Sequence, residues 1–297
     1  MRGINGRWGR VVTAMVTPFD ESGAVDTVRA GELAQYLLAH GSDTLVINGT
    51  TGESPTTSGA EKFALVQSAV RAVGGSKVIA GVGGNDTRRV VETARQAHDA
   101  GAGALLAVAP YYNKPSQEGL YRHFRAVAEA TPLPVILYNV PTRTITNIDA
   151  DTTARLAKDA PNIVATKEAS ANFAQVAEIA RLTPETFDIY SGDDATILPT
   201  LALGGAGVVS VISHLCGETL QEAIRAWFAG DLSESNRLFL PTLPVTRAVF
   251  SAPSPAPLKY ALAKVGQGVG NVRLPLVELI GAEETVVDAA LKSIGLL

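Results

Sequence analysis

An α/β fold, a (β/α)8 TIM barrel with a helical carboxy-terminal extension, is predicted by three features of this sequence. Short runs rich in Val, Ile and Leu recur through the first 211 residues. Each is followed by a longer segment with apolar residues at helical spacing. After residue 211 the strand-like runs stop while the helical spacing continues. Eight alternating units close most naturally into a barrel, because an open doubly wound sheet usually has fewer strands and an explicit reversal of strand order. At 297 residues the chain could hold two average domains, yet barrels routinely use this much sequence for one. The barrel is assigned to residues 1–215 and the extension to residues 216–297.

The expected strands are residues 11–16, 44–48, 77–82, 104–109, 135–139, 163–167, 187–190 and 207–211. They are apolar on both faces, as a parallel sheet covered by helices requires. The helices between them are expected at residues 27–40, 60–73, 87–100, 117–130, 151–158 and 173–181. Asp86 is placed to cap the third of these, and Gly41 and Gly101 follow two helices where a left-handed residue commonly ends the turn. The extension reads as helices at 218–229, 233–249, 257–265 and 283–294, with the Pro-rich stretch 251–257 as a bend between two of them.

With 46% hydrophobic and 18% charged residues, the chain has enough apolar material for a large core and does not look disordered. The net charge of -4, without a clustered basic run, argues against nucleic acid as a partner. No apolar run approaches the roughly 20 residues of a membrane span, so no membrane partner is expected. The segment 1–10 carries Arg2, Arg7 and Arg10 but leads into an apolar run too short for an export signal. Cys216 is the only cysteine, which fits a reducing compartment, and a cytoplasmic location is expected. The histidines His40, His98, His123 and His214 have no metal-ligand spacing, and no metal is expected. Gly81-Val82-Gly83-Gly84 lacks the full dinucleotide-loop spacing, so no nicotinamide cofactor is expected. No nucleophile-elbow pattern surrounds Ser191 or Ser210, which argues against hydrolase chemistry of that kind.

In a parallel barrel the loops after the strands gather at one face, so polar residues at strand ends are the candidates for chemistry. Lys167 follows the apolar run Ile163-Val164-Ala165 and would point into the barrel, where a charged ammonium is costly to desolvate. A neutral amine attacks carbonyl carbon, and the resulting imine is an electron sink. The alternative for Lys167 is an ion pair with a carboxylate such as Glu168. Thr50 and Thr51 lie between glycines, where backbone N–H groups can turn inward to grip a carboxylate, although the same tetrapeptide is also an ordinary turn. Tyr138 ends a strand and could transfer protons, helped by Thr50 or Tyr112, or it could be a core tyrosine with a satisfied hydroxyl. Arg143 could clamp a substrate carboxylate, or be a solvated loop arginine. Asp193 and Asp194 are read as structural caps.

The ordered set Thr17-Pro18-Phe19, Gly49-Thr50-Thr51-Gly52-Glu53, Pro110-Tyr111-Tyr112-Asn113-Lys114-Pro115, Tyr138-Asn139-Val140-Pro141, Arg143-Thr144, Lys167-Glu168-Ala169, Ser191-Gly192-Asp193-Asp194, Gly207-Val208-Val209-Ser210-Val211 and Arg273-Leu274-Pro275 resembles the dihydrodipicolinate synthase family of pyruvate-dependent class I aldolases, nearly end to end. The resemblance implies a lyase that condenses pyruvate with L-aspartate 4-semialdehyde through a Schiff base on Lys167, in the diaminopimelate route to lysine. It implies no cofactor beyond that imine. By the same resemblance Thr50 and Thr51 hold the pyruvate carboxylate, and Tyr138 relays protons with Thr50 and with Tyr112 from a neighbouring subunit. The backbone of Gly192 and Val209 lines the pyruvate pocket, and Arg143 receives the second substrate's carboxylate. A homodimer at least, and a homotetramer by resemblance, is implied. Relatives of N-acetylneuraminate lyase or 2-keto-3-deoxygluconate aldolase type share the imine but use other partners, and a non-catalytic ligand-binding barrel would keep only the pocket. Two departures stand out: Ser254-Pro255 replaces an Asn-Pro of many relatives, and Gly59 and Lys62 occupy the places of a histidine pair found in lysine-inhibited relatives. Weak or absent inhibition by lysine is therefore expected.

Overall fold

The computed structural model describes residues 6–297; the part of the amino-terminal reading that concerns residues 1–5 lies outside them. Eight parallel strands form a closed barrel in sequence order: β1 (Val11–Ala14), β2 (Thr44–Ile47), β3 (Val78–Gly81), β4 (Ala104–Val108), β5 (Val135–Asn139), β6 (Ile163–Glu168), β7 (Asp188–Ser191) and β8 (Gly207–Ser210). Pairing of Val11 with Val208 closes the ring. Around it lie α1 (Thr27–Ala39), α2 (Gly59–Val73), α3 (Thr87–Asp99), α4 (Gln117–Glu129), the single turn α5 (Pro141–Thr144), α6 (Ala150–Asp159), α7 (Phe173–Leu182), α8 (Ile197–Ala202) and α9 (Ser213–Phe228). The remaining helices are α10 (Leu232–Phe239), α11 (Leu243–Val249), α12 (Ala256–Lys264) and α13 (Gly281–Ser293). Among the described residues no helix is long and apolar enough to cross a membrane.

Alternation along each strand divides its apolar residues between two clusters. Val11, Leu45, Ile47, Val78, Leu105, Leu137 and Val208 face the helices. Val12, Val46, Ile79, Leu106, Ile136, Tyr138, Ala165, Tyr190 and Val209 fill the barrel interior. Trp8, ahead of β1, joins the interior cluster, and its ring centre lies 6.2 Å from that of Tyr190. The barrel is thus a packed core, and its strand ends are left to present polar groups.

Most expected boundaries hold to within one or two residues, with strand tails such as Met15-Val16 and Ala109 running on as buried loop. The helix expected from residue 218 begins at Ser213, so the boundary drawn at 215/216 falls inside α9. Cys216 breaks the helical geometry there, and a Cβ on Gly217 would lie 2.2 Å from the His40 carbonyl oxygen. The kink thus lies where α9 passes closest to the end of α1. The expected helix 233–249 is divided by the tighter turn Leu240–Thr242, where Pro241 lacks the N–H a continuous helix needs. Asp86 caps α3 by accepting from the Arg88 N–H. Asp193 caps in the same way, but Asp194 does something else: fully buried, it accepts the N–H groups of Val211 and Ile212 at 2.9 and 3.2 Å, tying β7 to the end of β8.

Candidate active site

Lys167 lies on the interior face of β6, in register with Tyr138 on β5 and Tyr190 on β7. The register depends on an irregularity next to Val135 and Ile136: Val135 pairs with Ile163 but Ile136 pairs with Ala165, so Val164 is skipped. Without that bulge Tyr138 would stand beside Thr166, since one residue of slip exchanges the two faces of a strand. Lys167 is only 5% exposed, and its Nζ sits 4.1 Å from the centre of the Tyr138 ring. Among the described residues it has no carboxylate partner.

Glu168, the alternative partner, points to the opposite face. It accepts both contacts of Asn139 Nδ2 at 3.1 Å, the Ser170 N–H at 2.9 Å and Gln175 Nε2 at 3.1 Å. Burial raises its pKa above the usual carboxylate value, opposed by those donors. Neighbouring residues on a strand cannot serve one another as partners, and this geometry separates the amine from the nearest negative charge.

Beside Lys167 lies Gly192. A Cβ there would stand 3.1 Å from Lys167 Cε and 2.6 Å from the Ala169 Cβ, so only glycine admits the lysine shaft at this point. The Gly192 N–H donates to the Glu168 carbonyl at 2.7 Å.

A cavity of about 360 Å³ opens at the carboxyl ends of β2 to β5, walled by Thr50, Tyr138 and Arg143 together with Lys62, Ser54 and Tyr111. Three residues singled out from the sequence thus converge on one space, and Tyr138 joins them to Lys167. Thr51, Gly192 and Val209 do not line it: Thr51 is buried, Gly192 lies against Lys167, and Val209 belongs to the interior cluster that includes Tyr138. Tyr112 is also outside the cavity of its own chain. It is 86% exposed and held at a φ of 72°, a left-handed conformation rarely adopted by tyrosine. Lys62 was missed as a wall residue. Burial lowers its pKa, and its position four residues into α2 carries no signal of a cavity. His123 and His214 are buried beside Thr87 and between Val16 and Val211, and burial depresses each to about 4.

A parallel eight-stranded barrel with a buried lysine at the end of its sixth strand, packed against a tyrosine that walls a cavity at the strand ends, has the architecture of a class I aldolase. The chain belongs to the dihydrodipicolinate synthetase family, whose model matches residues 7–294. It is similar to the 4-hydroxy-tetrahydrodipicolinate synthase of Moorella thermoacetica, with 49% identity over 292 residues covering 98% of this chain and 100% of that protein. It is 48% identical to the enzyme of the same name from Bacillus subtilis, over 97% of this chain and 99% of that one. The crystal structure of the DHDPS of Cyanidioschyzon merolae with lysine bound superposes with a TM-score of 0.96 at 44% identity, covering 98% of this chain and 99% of that one.

Proposed function

We propose that this chain is a 4-hydroxy-tetrahydrodipicolinate synthase, condensing pyruvate with L-aspartate 4-semialdehyde on Lys167. The observation that carries the reading is the Lys167 amine, enclosed in the barrel, without a carboxylate partner among the described residues and set against Tyr138, which walls the cavity. Relatives alike over nearly the whole chain supply the reaction.

The Lys167 amine adds to the keto carbon of pyruvate, and loss of water gives the imine. Removal of a methyl proton gives an enamine whose carbon attacks the aldehyde. The amino group of the second substrate then displaces Lys167 by transimination and closes the ring, so that one water is released overall. Tyr138 lies where protons must move, with Thr50 on the same cavity wall. Tyr112 completes the relay in a second copy of the chain, which makes a homodimer the functional minimum and is compatible with a homotetramer. The backbone of Thr50 and Thr51 receives the pyruvate carboxylate, the backbone of Gly192 and Val209 borders the bound keto acid, and Arg143 receives the carboxylate of the aldehyde. A cytoplasmic location is consistent with the single, buried Cys216.

Borohydride reduction in the presence of pyruvate should leave a covalent adduct on Lys167, found by peptide mass spectrometry. Lys167→Ala should lose both adduct and turnover; a pyruvate adduct elsewhere, or none, would defeat the assignment. Lysine should not inhibit at low millimolar concentration, because Lys62 and Arg143 both line the cavity and, among the described residues, no acidic side chain does, so the side-chain ammonium of an added lysine meets only like charge there. Half-inhibition in that range would contradict this.

A further inference from the structure

Glu53 closes the loop that carries Thr50 and Thr51, yet its side chain does not reach the cavity. Its backbone is left-handed, with φ 53°, a conformation that a residue other than glycine keeps only where its surroundings hold it. Here they do. Glu53 and Lys259 of α12 form an ion pair of 2.8 Å with side chains only 1% and 3% exposed. The second Glu53 oxygen accepts the Arg273 N–H at 3.0 Å, and Lys259 also donates to the Asn271 carbonyl at 2.8 Å. On the other side of the loop, Thr17 Oγ1 donates to the Gly52 carbonyl at 2.6 Å. The strap from Val269 to Arg273 is itself seated: the Phe19 N–H donates to the Val269 carbonyl at 3.0 Å, and a Cβ on Gly270 would fall 1.9 Å from the Phe19 oxygen.

A buried ion pair is seldom needed for stability, because an apolar pair of similar volume is often as stable or more so. What it does supply is direction, since a carboxylate ion-paired at one oxygen and hydrogen-bonded at the other favours one orientation. The Gly52–Glu53 end of the loop is therefore fixed from outside the barrel, its carbonyl by Thr17 and the Glu53 side chain by the carboxy-terminal extension, and the Glu53 N–H passes that constraint back by donating to the Thr50 carbonyl at 3.0 Å.

We propose that Glu53 and Lys259 are positioning residues that latch the extension to the Thr50-Thr51 loop and so set its backbone for the pyruvate carboxylate. The inference rests on the role given to Thr50 and Thr51 above. Neither latch residue touches substrate; both act through the loop.

The test uses the full chain with three changes: Glu53→Gln, Lys259→Met, and the two combined. Glutamine keeps an acceptor for the Arg273 N–H, and the combined change leaves no unpaired charge, so it carries the test if a single variant does not fold. The reading is the pyruvate concentration that half-saturates borohydride trapping on Lys167, with steady-state kinetics and thermal melting alongside. Each folded variant should need about ten-fold more pyruvate or greater, while kcat and the KM for the aldehyde stay within about three-fold. The combined variant should regain most of the native melting temperature yet keep the raised pyruvate requirement. Recovery of both together would show a purely structural pair and overturn the latch, as would folded variants that saturate at the native pyruvate concentration or lose only kcat. Failure of the native chain to form any adduct would overturn the underlying site reading and the latch with it, a result distinct from a native adduct with unaltered variants.

Discussion

Gly192 is the residue on which the setting of the Lys167 amine most directly depends. A methyl group there would meet the Ala169 Cβ at 2.6 Å, a separation real side chains do not adopt, and the Lys167 Cε at 3.1 Å. Relief requires the chain at Ala169 to shift, carrying with it the end of β6 that holds Lys167, and displacements of about 1 Å cost on the order of 100-fold in rate where reacting atoms must be aligned. Gly192→Ala should therefore keep the fold by circular dichroism but lower kcat/KM for pyruvate by roughly 10- to 100-fold. Native kinetics in that variant would show that the lysine has room this packing denies it. Lys167 was legible in the sequence because a lysine at a strand end, close behind the apolar run Ile163-Val164-Ala165, has few places to point. Lys259, equally buried, was not. It sits in a helix whose exposed and buried faces both hold lysines, and its partner Glu53 is brought to it only by the fold. Its one local sign is its place between the buried residues Leu258 and Leu262.

Elements were legible wherever their signals are local. Periodicity located every strand, and Asp86, Gly41 and Gly101 marked helix ends because caps act within a few residues. The bulge that skips Val164 was not legible, since it follows from the pairing of two strands, yet it decides that Tyr138 faces Lys167. The start of α2 combines both kinds of signal. Ser58 and Glu61 form a local capping box, and Glu61 also pairs with Arg273 at 2.6 Å from the far end of the chain. The Arg273 hydrogen bond, aided by Ser58, holds Glu61 at about 2, well under its ordinary 4.5. A depressed carboxylate stabilises the fold fully above its unfolded pKa, and the contribution disappears as pH falls through 4.5 toward about 2. The effect should be modest because the Glu61 side chain is 28% exposed and screened by solvent. Urea midpoints of the native chain and Glu61→Gln should differ near neutral pH and converge over that acid interval. A gap independent of pH would mean that charge at Glu61 contributes nothing.

At the scale of the whole molecule, the exposed Tyr112 is the feature a single chain leaves unexplained. A tyrosine 86% exposed at a φ of 72° gains nothing from its own fold, and its ring lies outside the cavity that Tyr138 and Thr50 share. If its hydroxyl takes part in proton transfer, it does so in the site of another copy, and that arrangement has a consequence that no single-chain mechanism shares. Tyr112→Phe should lower kcat by about 100-fold, the lower end of what a positioned acid–base group contributes, while still forming the borohydride-trapped adduct. Lys167→Ala should be inactive for want of the amine. In a twofold dimer built from one of each, the site that keeps Lys167 receives the intact Tyr112 of the partner, whereas the other site has neither group. Unfolding and refolding the two impaired variants together in equal amounts should thus restore roughly a quarter of the native sites, as random pairing requires. The recovered activity should scale with the fraction of mixed dimers and fall to about a hundredth of native or less when either variant is refolded alone. If the mixture stays as inactive as its parts while dimers form normally, Tyr112 serves no neighbouring site, and the proton relay must be completed by groups of one chain.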